Sequence, residues 1–252
     1  MSDYRLSVEA EGPAQLPSPK RVLTIGAHPD DAEFGAGGTL AKWARAGCDV
    51  TMLIVTDGSK GTWDPDVDPQ NLIAARRAEQ RTAADAIGAG EVIHLDYVDG
   101  ELEYTMGLRR EMAHWIRRTR PDVVLAHDPW RRYMLHPDHR AAGWGAVDGL
   151  VAARDHLFFP EQLTDGLSHH RPDCMLLWAA DEPDHHEDIT ATIDAKIEAL
   201  LCHSSQGTTT MDGADTTITA RAQFAAKIRE RAAVNAAGTG FSMAEAFKRI
   251  EP

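Results

Sequence analysis

Two short quartets of the 252-residue chain, His28-Pro29-Asp30-Asp31 and His136-Pro137-Asp138-His139, hold the residue types from which hydrolytic metal sites are made. In each quartet two metal-capable side chains stand three residues apart, so one turn of backbone aims both at a single point, and an acid is left over. Two histidines and an aspartate around one ion, with the fourth position left to water, form a catalytic zinc arrangement; a structural site fills all four positions with Cys or His. Such an ion lowers the pKa of its water and polarises a carbonyl, and a nearby carboxylate takes the water's proton. Asp30 is suited to that task, because any conformation that turns Asp31 towards the ion turns Asp30 elsewhere, over the water. Three protein ligands suffice, so one histidine of the second quartet is free to steady charge on the substrate oxygen or to protonate a departing amine. Asp138, lying between the two, is placed to hold an imidazole in one tautomer. A turn followed by a helix cap would explain each Pro and each Asp, but has no use for the histidines.

The quartets must be brought together by the elements around them. Arg21 to Ala27 and Asp49 to Thr56 are short β-branched runs of the kind found in buried parallel strands. Gly37 to Gly47 reads as a helix between them. Asn71 to Ile87, closed by Gly88, reads as the next helix, followed by a strand at Glu91 to Leu95, a helix at Tyr104 to Thr119 and a strand at Asp122 to Ala126. This alternation predicts an α/β fold of Rossmann-like form: one mostly parallel sheet with helices on both faces, in a single domain. Ligands of such sheets bind beyond the carboxyl ends of the strands where strand order reverses, between the first strand and the fourth, and both quartets lie there. Beyond His136 the expected order is a helix at Asp138 to Ala153, a strand at Cys174 to Trp178 and a helix at Thr192 to Cys202. Ser204 to Thr217 reads as a surface loop, followed by a helix at Ala220 to Ala236 and a short closing segment with Phe241, Met243 and Phe247. Residues 20–252 are expected to form the domain and residues 1–19, polar and rich in Pro, a loosely held tail.

Composition narrows the partners. A formal net charge of −13 without a long basic run excludes nucleic acid and anionic membrane surfaces as natural partners. The longest apolar stretches, such as Val50 to Val55, fall far short of the roughly 20 residues a bilayer span requires, and the first nineteen residues hold no apolar signal core. A soluble, cytoplasmic protein is expected. Cys48, Cys174 and Cys202 are odd in number, widely spaced and outside any CxxC pattern, which argues against disulfides and thiolate zinc.

The chain resembles the PIG-L (LmbE-like) family of zinc-dependent N-deacetylases. The resemblance rests on His28-Pro29-Asp30-Asp31 with Gly37-Gly38 after it, and on His136-Pro137-Asp138-His139; Thr56-Asp57-Gly58, Arg76-Arg77-Ala78-Glu79, Asp99-Gly100, His203-Ser204-Ser205-Gln206 and Ala244-Glu245-Ala246-Phe247 add weaker landmarks. It implies His28, Asp31 and His139 as the ligands of one Zn2+ per chain, with another divalent ion such as Fe2+ as the alternative. It further implies Asp30 as the base, His136 as the oxyanion partner or amine acid, and Arg76 and Asp99 on the substrate side. Where the family's common form is HPDDE, Ala32 here separates Asp31 from Glu33, and the resemblance assigns Glu33 no role. Assemblies of identical chains are also implied.

The loop Gly58 to Asp66 leaves the second strand beside the switch point and carries Trp63 among polar residues, where an aromatic ring can stack on a sugar or close the pocket. Trp130 and Tyr133 invite the same reading. His185 and His186 sit in the acidic stretch Asp181 to Asp188, which reads as solvated surface rather than a second metal site. The expected function is hydrolysis of an N-acetyl amide on a small N-acetylglucosamine-type sugar conjugate, giving acetate and an amine. An amidase acting on a thiol conjugate of the mycothiol type is the near alternative. A nucleotide- or ligand-binding module is the remote one, since the first turn has no GxGxxG with which to cradle a pyrophosphate.

Overall fold

The computed structural model describes residues 15–164, 166–211, 213, 214 and 217–252. The first half of the chain alternates strictly: β1 (Arg21–Gly26), α1 (Asp31–Arg45), β2 (Asp49–Thr56), α2 (Pro69–Ile87), β3 (Glu91–Tyr97), α3 (Met106–Thr119), β4 (Val123–His127) and α4 (Pro137–Arg154). The second half adds α5 (Pro160–Thr164), β5 (Cys174–Trp178), β6 (His185–Asp188), α6 (Ile193–Leu201), α7 (Ile218–Asn235) and β7 (Ala244–Ile250). The seven strands lie in the order β3-β2-β1-β4-β5-β7-β6. The first five are parallel and β7 runs antiparallel to both its neighbours. Strand order therefore reverses between β1 and β4, whose register pairs Val22 with Val123 and Ile25 with Ala126.

The central strands β1, β2, β4 and β5 are buried almost throughout, as a parallel sheet covered on both faces requires. Successive residues point to opposite faces. Val22, Val50, Met52, Leu125 and Leu176 pack with α1 and α2, while Leu23, Ile25, Leu53, Val124 and Leu177 pack with α3 and α4. A third cluster joins α6 and α7 through Ile193, Ile197, Phe224 and Ile228. No described helix is long and apolar enough to cross a membrane.

α1 begins at Asp31, six residues before the expected start at Gly37. Gly35, Gly37 and Gly38 weaken intrinsic helix propensity there. A Cβ on Gly35 would lie 2.5 Å from the Trp178 ring and one on Gly38 2.8 Å from Ile189, so these glycines admit neighbours to the helix rather than ending it.

Of the stretch expected to be solvated surface, Asp181 to Asp184 are exposed, but the rest corrects to sheet: β6 lies at the edge of the sheet beside β7, with His185 and Glu187 buried. His185 Nε2 stands 2.8 Å from Glu187 Oε1, and Lys42 reaches the other carboxylate oxygen. The expected surface loop 204–217 corrects in part, among the described residues. It opens with a single 3₁₀ turn, Ser204–Gln206, and buries Gln206, Met211 and Ala214. Of the expected tail, residues 1–14 lie outside the described residues. Within 15–19, Leu16 packs on the core and its N–H donates to Glu187 Oε1 at 2.9 Å.

Candidate metal centre

Each quartet lies at the start of a helix beyond the carboxyl end of a strand, the second after the loop 128–135. His28 leaves β1. Asp31 opens α1, and one of its carboxylate oxygens, Oδ2, accepts the His28 N–H at 2.7 Å. His136 is the residue before α4, with no side-chain cap bond, and His139 lies in the first turn of that helix. β1 and β4 are neighbours, so the two turns face each other.

Their side chains converge. His28 Nδ1 and His139 Nε2 are 3.2 Å apart, His139 Nε2 and Asp31 Oδ1 3.3 Å, and His28 Nδ1 and Asp31 Oδ2 3.4 Å. Ligands at zinc-bond lengths on a tetrahedron are separated by roughly 3.3 Å, so the three groups bracket a point at which an ion of that size fits. Three overlapping sets of donors lie close enough to hold an ion among the described residues: His28 with His136 and His139, Asp31 with His127 and His139, and His28 with Asp99 and Asp138. The three sets differ in their hydrogen bonds.

His127, at the end of β4, went unread in the sequence. Its Nδ1 accepts the indole N–H of Trp178 at 3.0 Å, and its Nε2 stands 3.0 Å from Asp31 Oδ2. An indole only donates, so Nδ1 carries no proton and Nε2 must carry it. His127 is thereby a donor that orients Asp31. Burial keeps its pKa below the ordinary value, in agreement with a neutral ring. Burial also works against an ionised Asp31, but the facing imidazoles of His139 and His127 overcome it and hold the carboxyl well below the usual range.

Asp138 is fully buried and supports His28, not a histidine of its own quartet. Its Oδ2 lies 3.1 Å from His28 Nε2 and accepts the Gly100 N–H at 2.6 Å. Asp99 Oδ1 lies 3.2 Å from the same His28 nitrogen, and its Oδ2 accepts the Lys60 N–H at 3.0 Å. With Nε2 held by carboxylates, His28 presents Nδ1 to the point shared with Asp31 and His139.

Asp30 sits beside this group in a left-handed conformation, φ +93°. Its carboxylate is buried, Oδ2 lacks a hydrogen-bond partner, and burial pushes its pKa up to about 6 against the pull of Arg76. The Arg76 guanidinium is buried as well. It lies 3.5 Å from Asp30 Oδ2 and donates to the carbonyls of Pro29 at 2.7 Å and Gly58 at 3.0 Å, tying the first quartet to the loop after β2. His136 is exposed, and its ring stacks on His139 at 4.7 Å between centroids.

His28, Asp30, Asp31, Arg76, His136 and His139 line a cavity of about 710 Å³. Trp63, 79% exposed, stands at its edge, and its far wall reaches Gln206, Ile228 and Asn235. Trp130 instead packs edge-on against Trp144, and Tyr133 points to solvent.

Residues 23–150 match the PIG-L family, described as GlcNAc-PI de-N-acetylase. The chain belongs to the PIG-L family. Among similar PIG-L-type proteins, the diacetylchitobiose deacetylase of Thermococcus kodakarensis is 37% identical over 187 residues, covering 74% of this chain and 70% of the relative. A 1D-myo-inositol 2-acetamido-2-deoxy-alpha-D-glucopyranoside deacetylase of Kineococcus radiotolerans is 30% identical over 170 residues, 55% of this chain and 47% of the relative. The structure of N,N'-diacetylchitobiose deacetylase from Pyrococcus horikoshii, complexed with its inhibitor MPG, matches with a TM-score of 0.83 and 30% identity, over 92% of this chain and 84% of that one.

Proposed function

We propose that this PIG-L protein is a metal-dependent hydrolase that removes the N-acetyl group from a small N-acetylglucosamine-type conjugate, releasing acetate and a free amine. The observation that carries the reading is the convergence of His28 Nδ1, Asp31 and His139 Nε2 at tetrahedral spacing in the lining of a cavity, with the buried Asp30 beside them. The deacetylase relatives supply the substrate class.

The two imidazoles and the carboxylate suit Zn2+, with Fe2+ the alternative. Held there, the ion would supply a Lewis acid for the acetyl carbonyl and acidify a water. Asp30 takes the proton of the attacking water as its oxygen bonds to the acetyl carbon. Arg76 keeps the Asp30 carboxylate in place. His136, on the open side of His139, donates a hydrogen bond to the oxygen that gains charge. The C–N bond then breaks, the proton passes to the nitrogen, and acetate and amine leave.

A cavity of 710 Å³ falls within the range that encloses a drug-sized ligand and accommodates a sugar joined to a second group. Trp63 is placed to stack on one of those rings, and Asp99, between Lys60 and His28, lines the same space.

The test begins with elemental analysis of protein purified without added metal, followed by free-amine assays on N-acetylglucosamine conjugates, diacetylchitobiose and an acylated thiol conjugate. Asp30→Asn, which tolerates the left-handed backbone, should keep its metal and lose about 10²–10⁴-fold in kcat. His28→Ala should lose both metal and turnover. Parental turnover in Asp30→Asn would overturn the mechanism.

A further inference from the structure

Behind Asp30, on the side away from the cavity, lies a polar chain that the proposed reaction leaves unused. Glu33 of α1, Gln80 of α2 and His203, just after α6, are all fully buried. Gln80 Oε1 accepts the backbone N–H of Asp30 at 3.0 Å, and Gln80 Nε2 donates to Glu33 Oε1 at 2.5 Å. His203 Nε2 stands 3.7 Å from that same Glu33 oxygen.

The chain has a direction. Asp30's N–H can be met only by an oxygen, so the Gln80 amide must turn its oxygen to Asp30 and its nitrogen away. A carboxylate accepts and never donates, so Glu33 fixes that orientation. Burying a carboxylate and an amide is costly, and an apolar set of like volume would fill the space more cheaply.

Asp30 requires such a hold. Asp30 holds φ +93°, a left-handed conformation that strains an L-residue and that its surroundings must sustain. That same conformation sends the adjacent carboxylates of Asp30 and Asp31 in different directions, one to the base position and one to the ligand position.

We propose that Glu33 and Gln80 are positioning residues, a buried hydrogen-bonded clamp on the Asp30 backbone that aims its carboxylate at the reacting water, with His203 beside Glu33 but outside hydrogen-bond reach. The inference rests on Asp30 being the base. The clamp acts on geometry alone and touches neither substrate nor ligand atoms.

Amide exchange at Asp30, followed by NMR in the full chain with and without metal, reports on the clamp independently of turnover. In Gln80→Leu it should quicken about 10-fold or more, and kcat should fall about 10- to 100-fold with KM and metal content unchanged, as expected for a misaimed group. In an Asp30→Asn background Gln80→Leu should cost nothing further, because both changes act through one carboxylate. Gln80→Glu alone brings two carboxylates together and should be impaired, whereas the exchange Glu33→Gln/Gln80→Glu restores both hydrogen bonds and most of the turnover. This pair of variants carries the test if Gln80→Leu does not fold. Parental kcat in Gln80→Leu, an equal loss in both backgrounds, or no recovery in the exchanged pair overturns the clamp. Parental turnover in Asp30→Asn sinks the base assignment first, and is recognised by that variant alone.

Discussion

At the scale of single residues, the centre is governed by which nitrogen of each histidine carries the proton. Asp138 and Asp99 occupy His28 Nε2, and the indole of Trp178 occupies His127 Nδ1, so each imidazole has one orientation available to it. Trp178→Phe keeps the ring against α1 but removes that donor. His127 can then switch tautomer and stop donating to Asp31, so metal affinity should fall about 10- to 100-fold in a competition titration while the fold is retained; unchanged affinity would refute the tautomer argument. Spacing disclosed His28, Asp31, His136 and His139 because each pair fits one turn of backbone. His127 is a lone histidine ending an apolar run, and its partner Trp178 lies 51 residues away, so no local pattern betrays it. Arg76 and Asp99 were legible as residues near the site. Their hydrogen bonds to Gly58, Pro29 and Lys60 were not, because those partners come from separate loops.

At the scale of elements, the helix that carries His139 packs on its neighbour through glycines. α4 presents Gly145 and Gly149 to α3, where an added Cβ on Gly149 would lie 2.3 Å from Met112 Cβ and 3.2 Å from the Ala113 backbone. Neither atom can step aside. At Gly145 the added Cβ would meet the flexible Leu108 side-chain end at 3.0 Å. Gly149→Ala should therefore cost about 1–3 kcal/mol in urea unfolding and Gly145→Ala distinctly less; equal costs would show that α4 shifts freely. The parallel strands and their helices were legible because an apolar run of five to eight residues between helical segments has few other readings. β6 was not. Its residues His185 to Asp188 are polar, and its burial is made tolerable by Lys42, 145 residues distant from Glu187. The Ser204 region misled for the same reason, since Glu79 of α2 accepts from both Ser204 and Ser205.

At the scale of the whole molecule, three apolar clusters support the sheet and the outer helices without calling on the centre. Chelation should therefore leave the secondary structure and a cooperative unfolding transition in place. Ion at about 100 times its Kd should add roughly 2.7 kcal/mol, or about 5–10 °C in Tm for a chain of this size. Loss of the fold on chelation would contradict this. The pairing of β1 with β4 has one more consequence, for the chain as it is made. His28 and Asp31 leave the ribosome well before His139, which is 111 residues further on, and before the His127 and Asp138 that hold them in place. With the proposed ligands, the early half of the centre is a weak, two-armed chelator while those 111 residues are made. Firm capture of the ion waits until β4 has docked beside β1 and α4 has begun, so acquisition of metal marks the completion of the sheet's middle rather than its start.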